Sequence, residues 1–196
     1  MNSLWKIDRP WIAFFSQTGT EINDLSNALG IHPELIVTNK PDLKKVNTNL
    51  LSVTKFREHK LNKTFLEVLP IKPVAQDYSK ILERFEEPII TLHGYLRIIP
   101  KEICEKYEMY NLHPGLINKY PSLKGFNPQE RAFAQNHKFA GCVLHKVTPG
   151  VDEGEILLSQ GEFIEGLSLD EVYTKLRQVA LDLWISFFKG YKLIMK

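Results

Sequence analysis

WIAFFSQTGTEINDLSNALGIHPELIVT, residues 11–38, decides the fold class. Trp11 to Ser16 is a short apolar run of the kind that builds a strand buried on both faces. Polar Gln17-Thr18-Gly19-Thr20 follows, and then Ile22, Leu25, Ala28 and Leu29 recur at helical spacing through Glu21 to Leu29. Gly30 is placed to cap that helix. Leu35 to Thr38 reads as a second strand, closed by Asn39-Lys40-Pro41. Strand, turn, helix, strand opens an α/β fold with a parallel sheet.

The alternation continues outward from this unit. Tyr78, Ile81, Leu82 and Phe85 predict a helix, and Pro88 to Leu92 a strand leading into His93-Gly94-Tyr95. Pro100 to Tyr107 fits a short helix with proline at its first position. Tyr110 to His113, Ala140 to Val147 and Glu155 to Phe163 read as strands. Pro128 to Gln135 reads as a helix, and Leu169 to Phe188 as a long amphipathic one. Asp42 to Pro73 is the least legible stretch, with at least one short strand expected in it. The expectation is a single domain over residues 1–196, Rossmann-like, with a mostly parallel sheet and helices on both faces.

Composition narrows the function classes. The 196 residues are 43% hydrophobic and 24% charged, ordinary for a globular protein with a real core. Twenty-five Lys and Arg against 23 Asp and Glu leave a formal charge of +2. That balance gives no electrostatic reason to expect nucleic acid or an anionic membrane. The two cysteines, Cys104 and Cys142, form no CxxC motif and indicate neither a disulfide framework nor a zinc site. No apolar run is long enough to span a bilayer, and the N-terminus lacks a signal-type stretch, so a cytoplasmic, metal-free protein is expected.

The chemistry-bearing segment is Asn111-Leu-His113-Pro114-Gly115. Residues two apart on a strand share a face, so Asn111 and His113 project together, and Pro114 ends the strand beyond them. An amide there can donate to a carbonyl oxygen as charge develops on it. An imidazole can take a proton or stabilise an oxyanion. Taken alone, the pair reads equally as ordinary polar residues satisfying backbone groups at a strand end. Val147-Thr-Pro-Gly-Val-Asp152-Glu-Gly154 is a loop of tight turns after a strand. Asp152 or Glu153 could reach the imidazole and favour its charged form, although the segment by itself is only a turn. His145 reads as a core histidine or as a second polar group of the same site.

Together these segments resemble the folate-dependent formyltransferases, the family that includes the glycinamide ribonucleotide enzymes. Its signature joins Asn-x-His-Pro to an Asp in a later Gly-containing loop. Gly94-Tyr95-Leu96-Arg97-Ile98-Ile99 resembles the family's folate-lining Gly-Phe-Met-Arg-Ile-Leu, and Lys119-Tyr120-Pro121-Ser122-Leu123 its Lys-Tyr-Pro-Gly-Leu. His145, seven residues before Asp152, falls where the glycinamide branch carries a histidine. The resemblance runs from about Pro10 to Phe188. It implies a 10-formyltetrahydrofolate co-substrate, a small-molecule amine acceptor and no metal. It implies catalytic roles for Asn111, His113 and Asp152, with Asp152 raising the pKa of a protonated His113. Tyr95, Leu96, Arg97, Ile98 and Ile99 would line the pterin site, and Thr148, Pro149, Gly150 and Val151 would close over it.

The acceptor half matches less well. The family's phosphate turn reads Ser-Gly-x-Gly-Ser-Asn, against Ser16-Gln17-Thr18-Gly19-Thr20-Glu21 here. Thr18, Gly19, Thr20 and Glu21 are the candidate acceptor contacts, but Thr18-x-x-Glu21 also reads as a capping box. Lys175 and Arg177 could serve a phosphate or simply be solvated. Glycinamide ribonucleotide, and with it purine biosynthesis, leads as acceptor. The altered turn and Gly125-Phe126-Asn127-Pro128-Gln129 lean toward a nucleotide-linked amino sugar, while the chain's length leans away from that acceptor and from methionyl-tRNA. Hydrolysis of the donor and a folate-binding protein without turnover complete the alternatives.

Overall fold

A computed structural model of the chain describes residues 5–6, 8–55, 65–190 and 194–195. The opening unit folds as its pattern dictates: strand β2 (Trp11–Phe15), helix α1 (Thr20–Leu29) and strand β3 (Leu35–Thr38), with every residue of both strands buried. Strand β1 (Trp5–Lys6) precedes it and pairs antiparallel with β9 (Ile194–Met195), a two-stranded ribbon outside the main sheet. Two-residue strands carry no readable period, and the sequence did not announce them.

Helix α2 (Thr48–Lys55) and strand β4 (Phe65–Val68) occupy the poorly legible stretch; residues 56–64 of it lie outside the described residues. The expected short strand is β4. Helix α2 is started by Asn47, whose Oδ1 accepts from the backbone N–H groups of Asn49 and Leu50, the Asn-cap arrangement. Then come α3 (Ala75–Leu82), β5 (Ile89–His93), α4 (Lys101–Lys106), β6 (Met109–His113), α5 (Pro128–Ala134), β7 (Phe139–Lys146), β8 (Ile156–Phe163) and α6 (Leu169–Gly190). Pro100 stands one place before α4 instead of at its first position.

The sheet order is β4-β3-β2-β5-β6-β7-β8. The first five strands are parallel, whereas β7 and β8 run antiparallel. The mostly parallel expectation therefore holds, with the departure confined to one edge. One face packs against α1, α2, α5 and α6 through residues such as Leu25, Leu50, Ala132 and Trp184, and the other against α3 and α4 through Tyr78, Ile81 and Ile103. Burial at about 25 cal/mol per Å² is the main driving force for closing such layers.

Two features of this topology place the site. The strand order reverses between β2 and β5, so a crevice opens beyond their carboxyl ends. Because β7 is antiparallel, Lys146 stands opposite Tyr110 and the backbone N–H of Val147 bonds to the Met109 carbonyl, at the amino end of β6. The loop after β7 must therefore double back over the sheet to approach His113.

Candidate active site

Asn111 and His113 leave β6 on the face opposite Tyr110 and Leu112, as the two-residue period requires. The returning loop delivers Asp152 to them. Its Oδ2 lies 3.2 Å from His113 Nδ1 and accepts a 2.8 Å hydrogen bond from the Gly125 backbone N–H. Its Oδ1 lies 3.5 Å from His145 Nε2. Delivery has a backbone cost: Asp152 sits at φ 52°, in the left-handed region. Gly154 lets the loop pass the sheet, since a Cβ there would stand 1.8 Å from the Lys146 carbonyl oxygen.

Asn111 turns its hydrogen bond to the neighbouring strand β7. Its amide donates to His145 Nε2 at 3.2 Å, directly across the β6–β7 pairing. His145 Nδ1 donates to the Lys146 carbonyl at 2.8 Å, which leaves Nε2 between the Asn111 amide and Asp152 Oδ1. His145 is thus part of the cluster as well as a satisfied buried residue. The antiparallel register sets it opposite Asn111.

Both nitrogens of His113 are engaged. Nε2 donates to the Leu123 carbonyl at 2.9 Å, and Nδ1 faces Asp152. Asp152 does raise the pKa of His113, as expected, but the protonated ring expected with it does not follow. Burial pushes the imidazole below its ordinary 6.5, and the opposing pull of Asp152 and the Leu123 carbonyl does not overcome it. Asp152 itself is held below the usual carboxylate value: burial opposes ionisation, but His145, His113 and the Gly125 N–H outweigh it.

A second polar cluster lies on the other face. His93, one residue past the Leu92 that pairs with Asn111, is buried and turned toward α1 and α6. Trp11 Nε1 donates to Thr91 Oγ1, Thr91 pairs with His93 Nε2, and His93 Nδ1 donates to Glu21 Oε1 at 2.6 Å. Trp184 Nε1 donates to the same oxygen at 2.6 Å. The Glu21 carboxylate can only accept, so His93 Nδ1 carries a proton, while the Thr91 hydroxyl can serve Nε2 as donor or as acceptor.

The capping-box reading of Thr18 and Glu21 is therefore corrected. Helix α1 is capped by Gly19 at φ 71° with no side-chain cap bond, and Glu21 is drawn away by two buried N–H donors. Thr18 Oγ1 accepts instead from the Thr20 backbone N–H, and its hydroxyl pairs with that of Thr20. A Cβ at Gly19 would meet Leu50 Cδ2 at 2.5 Å, so both conformation and packing demand glycine.

The expected folate segments divide. Tyr95 is buried against Phe14 with its hydroxyl on that of Tyr78, and Ile99 is also core. Leu96, Arg97 and Ile98 face solvent, Arg97 donating to the Ile71 and Leu96 carbonyls. In the second segment Val151 and Pro149 are exposed, while Thr148 and Gly150 are half-buried. Sequence reasoning passed over His93, Gly125 and Arg131. Glu21, a partner of His93, and Asp152, the partner of Gly125, lie 72 and 27 positions away, while the partners of Arg131 are backbone carbonyls that no side-chain pattern announces.

Comparison with known proteins agrees with this architecture. A family model described as formyl transferase matches residues 12–186. Methionyl-tRNA formyltransferase of Fervidobacterium nodosum is 28% identical over 137 residues, 62% of this chain and 43% of that protein. The human trifunctional purine biosynthetic protein adenosine-3 is 37% identical over 82 residues, 41% of this chain and 8% of that protein. The chain thus spans less than half the length of either curated relative. Phosphoribosylglycinamide formyltransferase from Bacillus halodurans has a solved structure that superposes with a TM-score of 0.71 at 25% identity. That match covers 89% of this chain and 91% of the other. The corresponding structure from Anaplasma phagocytophilum gives 0.74 at 21%, covering 93% and 86%. The match runs from β2 into α6 and takes in both polar clusters, and on that ground the chain belongs to the formyl transferase family.

Proposed function

We propose that the chain transfers the formyl group of 10-formyltetrahydrofolate to a primary amine, with Asn111, His113 and Asp152 as the catalytic residues. The observation that carries this reading is the His113–Asp152 pair, held on both sides and joined through His145 to the Asn111 amide. The amine nitrogen attacks the formyl carbon and the carbonyl π pair moves onto oxygen. Asn111 gives one amide N–H to His145 and has a second for that oxyanion.

The lowered pKa of His113 sets the direction of proton flow. The imidazole enters the reaction neutral, with its proton on Nε2 toward Leu123. The proton lost by the amine passes over Asp152 to Nδ1. It makes an imidazolium whose two N–H groups face Asp152 and the Leu123 carbonyl. Collapse of the intermediate breaks the bond from carbon to N10, and the proton returns to N10 as tetrahydrofolate leaves. The exposed Leu96 and Ile98 and the loop Thr148 to Val151 are assigned to the pterin, with Tyr95 and Ile99 anchoring the first segment from beneath.

Glycinamide ribonucleotide is the acceptor this reading puts first, supported by what the solved relatives are named for. The contacts assigned to it are Thr18, Gly19, Thr20 and Glu21. A second acceptor, a nucleotide-linked amino sugar, is favoured by one observation. The turn before α1 keeps a single glycine, Gly19, and Glu21 in the first turn commits its carboxylate to His93 and Trp184, so the turn departs from the family's phosphate-binding form. The test is tetrahydrofolate release from 10-formyltetrahydrofolate with no acceptor, with glycinamide ribonucleotide, and with a nucleotide-linked amino sugar. Release that requires an amine supports transfer and identifies the acceptor. Equal release without one makes the protein a hydrolase and overturns the reading.

A further inference from the structure

Between His113 and helix α5 lies a turn whose carbonyl groups converge on one side chain. Arg131, on α5, reaches back over residues 122–125. Its Nη1 donates to the Ser122 carbonyl, and its Nη2 donates to the Leu123 carbonyl at 2.8 Å and to the Lys124 carbonyl at 2.6 Å. Three consecutive carbonyls on one guanidinium is an arrangement that the planar, multiply donating fork of arginine satisfies and lysine does not.

One of the groups so held, and one further along the same turn, are partners of the reacting pair. The Leu123 carbonyl accepts at once from Arg131 and from His113 Nε2 at 2.9 Å. The next residue but one, Gly125, gives its N–H to the Asp152 oxygen that faces His113 Nδ1. Gly125 sits at φ 81° and Asn127 at φ 50°, so the turn between the 3-10 segment Pro121–Leu123 and α5 is tight and left-handed twice. Hydrogen bonds thus run from Arg131 through the turn to His113 on one side and to Asp152 on the other, and the 3.2 Å contact between His113 and Asp152 closes the ring. Within it, the turn grips the imidazole at one nitrogen and the carboxylate at the other.

We infer that Arg131 is a positioning residue for the formyl-transfer site: by gathering the Ser122, Leu123 and Lys124 carbonyls it sets the tautomer of His113 and the placement of Asp152 without itself touching the substrate. Geometrically, a carbonyl fixed 2.9 Å from Nε2 forces a proton onto that nitrogen and leaves Nδ1 to exchange a proton with Asp152, the direction the proposed reaction needs. Electrostatically, the guanidinium shares an oxygen with the imidazole and opposes a second positive charge on it. The charged and titratable groups facing His113 are Asp152 from the loop after β7, His145 from β7 and Arg131 from α5. The first favours the imidazolium and the other two oppose it.

The inference rests on the proposed transfer only for its kinetic consequence; its structural content can be read without turnover. Nitrogen-15 histidine spectra of the whole protein report the tautomer and titration of His113, assigned by the missing signal of His113→Asn. In the wild type the neutral ring carries its proton on Nε2 and titrates below 6.5. In Arg131→Gln the ring loses that tautomer preference and its titration moves up. In Arg131→Lys the charge stays but the fork is lost, so the titration stays low while the tautomer signal broadens or switches.

If the transfer reading holds, both variants lose about 10- to 100-fold in kcat, with the KM for the donor within about twofold. The acid limb of the pH profile moves up only in Arg131→Gln, and added guanidinium restores part of the rate of Arg131→Ala. Unchanged tautomer and titration in a folded Arg131→Gln protein overturn the inference whatever the enzyme does. Altered spectra together with no transfer by the wild type leave Arg131 in place and sink the transfer reading instead. Should Arg131→Gln fail to fold, Arg131→Lys decides: wild-type spectra and wild-type rate in that variant refute the role of the fork.

Discussion

His113 shows how two opposed effects are settled inside one side chain. Asp152 at 3.2 Å argues for an imidazolium, while burial argues against any charge, and burial wins. The consequence is a sign. If His113 must be neutral to receive the amine's proton, kcat/KM rises with pH through an apparent pKa below 6.5 and levels off above it. A profile that falls as pH rises through 6 to 7 would make the protonated ring the active form and refute the proton path. Replacing the ring, in His113→Ala, is expected to lower kcat by about 10²- to 10⁴-fold. Equilibrium binding of the folate donor should persist, because the surfaces assigned to the pterin lie on other segments. Loss of binding and rate together would place His113 in the wrong role.

At the level of elements, legibility followed the range over which each signal acts. Buried parallel strands such as Trp11–Phe15 and Ile89–His93 announce themselves as apolar runs, and α1 by its spacing. Asn111 and His113 were readable because a strand's period is local. Asp152 was readable because a Gly-rich loop follows β7. What could not be read was the direction of β7, since nothing in its own residues distinguishes a parallel from an antiparallel neighbour. With it went the doubling back of the loop. Nor could the pull of His93 and Trp184 on Glu21 be read, because those residues stand 72 and 163 positions away.

The loop after β7 yields an element-scale test. In Gly154→Ala the new methyl meets the Lys146 carbonyl, backbone against backbone, so the loop must shift and Asp152 with it. Overpacking of this kind costs about 1–3 kcal/mol. The rate should fall further than the stability alone explains, as judged by kcat at a temperature where the variant is fully folded. A variant with wild-type rate and stability would mean that the loop reaches His113 by a path that does not need this close approach.

On the other face, Trp184→Phe keeps the ring against His93 and deletes one donor to Glu21. Loss of a hydrogen bond to a charged group costs about 1.5–3 kcal/mol, to be read as a lower denaturation midpoint with an unchanged m-value. No loss would mean that water replaces the indole N–H at no cost.

For the whole molecule the decisive variable is acid. His113 is held below 6.5 by burial, and Asp152 is held below its ordinary 3.8. Each group binds fewer protons in the folded chain than in the unfolded one, so protonation pulls toward unfolding. The contribution of His113 is present above about pH 6.5 and is lost as pH falls through its folded-state value. That of Asp152 follows at still lower pH. Thermal melting should therefore show Tm dropping as pH is lowered from 7 toward 5, before the surface carboxylates titrate. His113→Asn removes that titrating group, and the drop across that window should become shallower. The slope, not the absolute Tm, carries the information, since the substitution also removes the bond to Leu123. A Tm that holds steady or rises over the same window would show that the Asp152 pairing outweighs burial. In that case the neutral-imidazole mechanism would fail together with the stability argument, because both depend on the same sign.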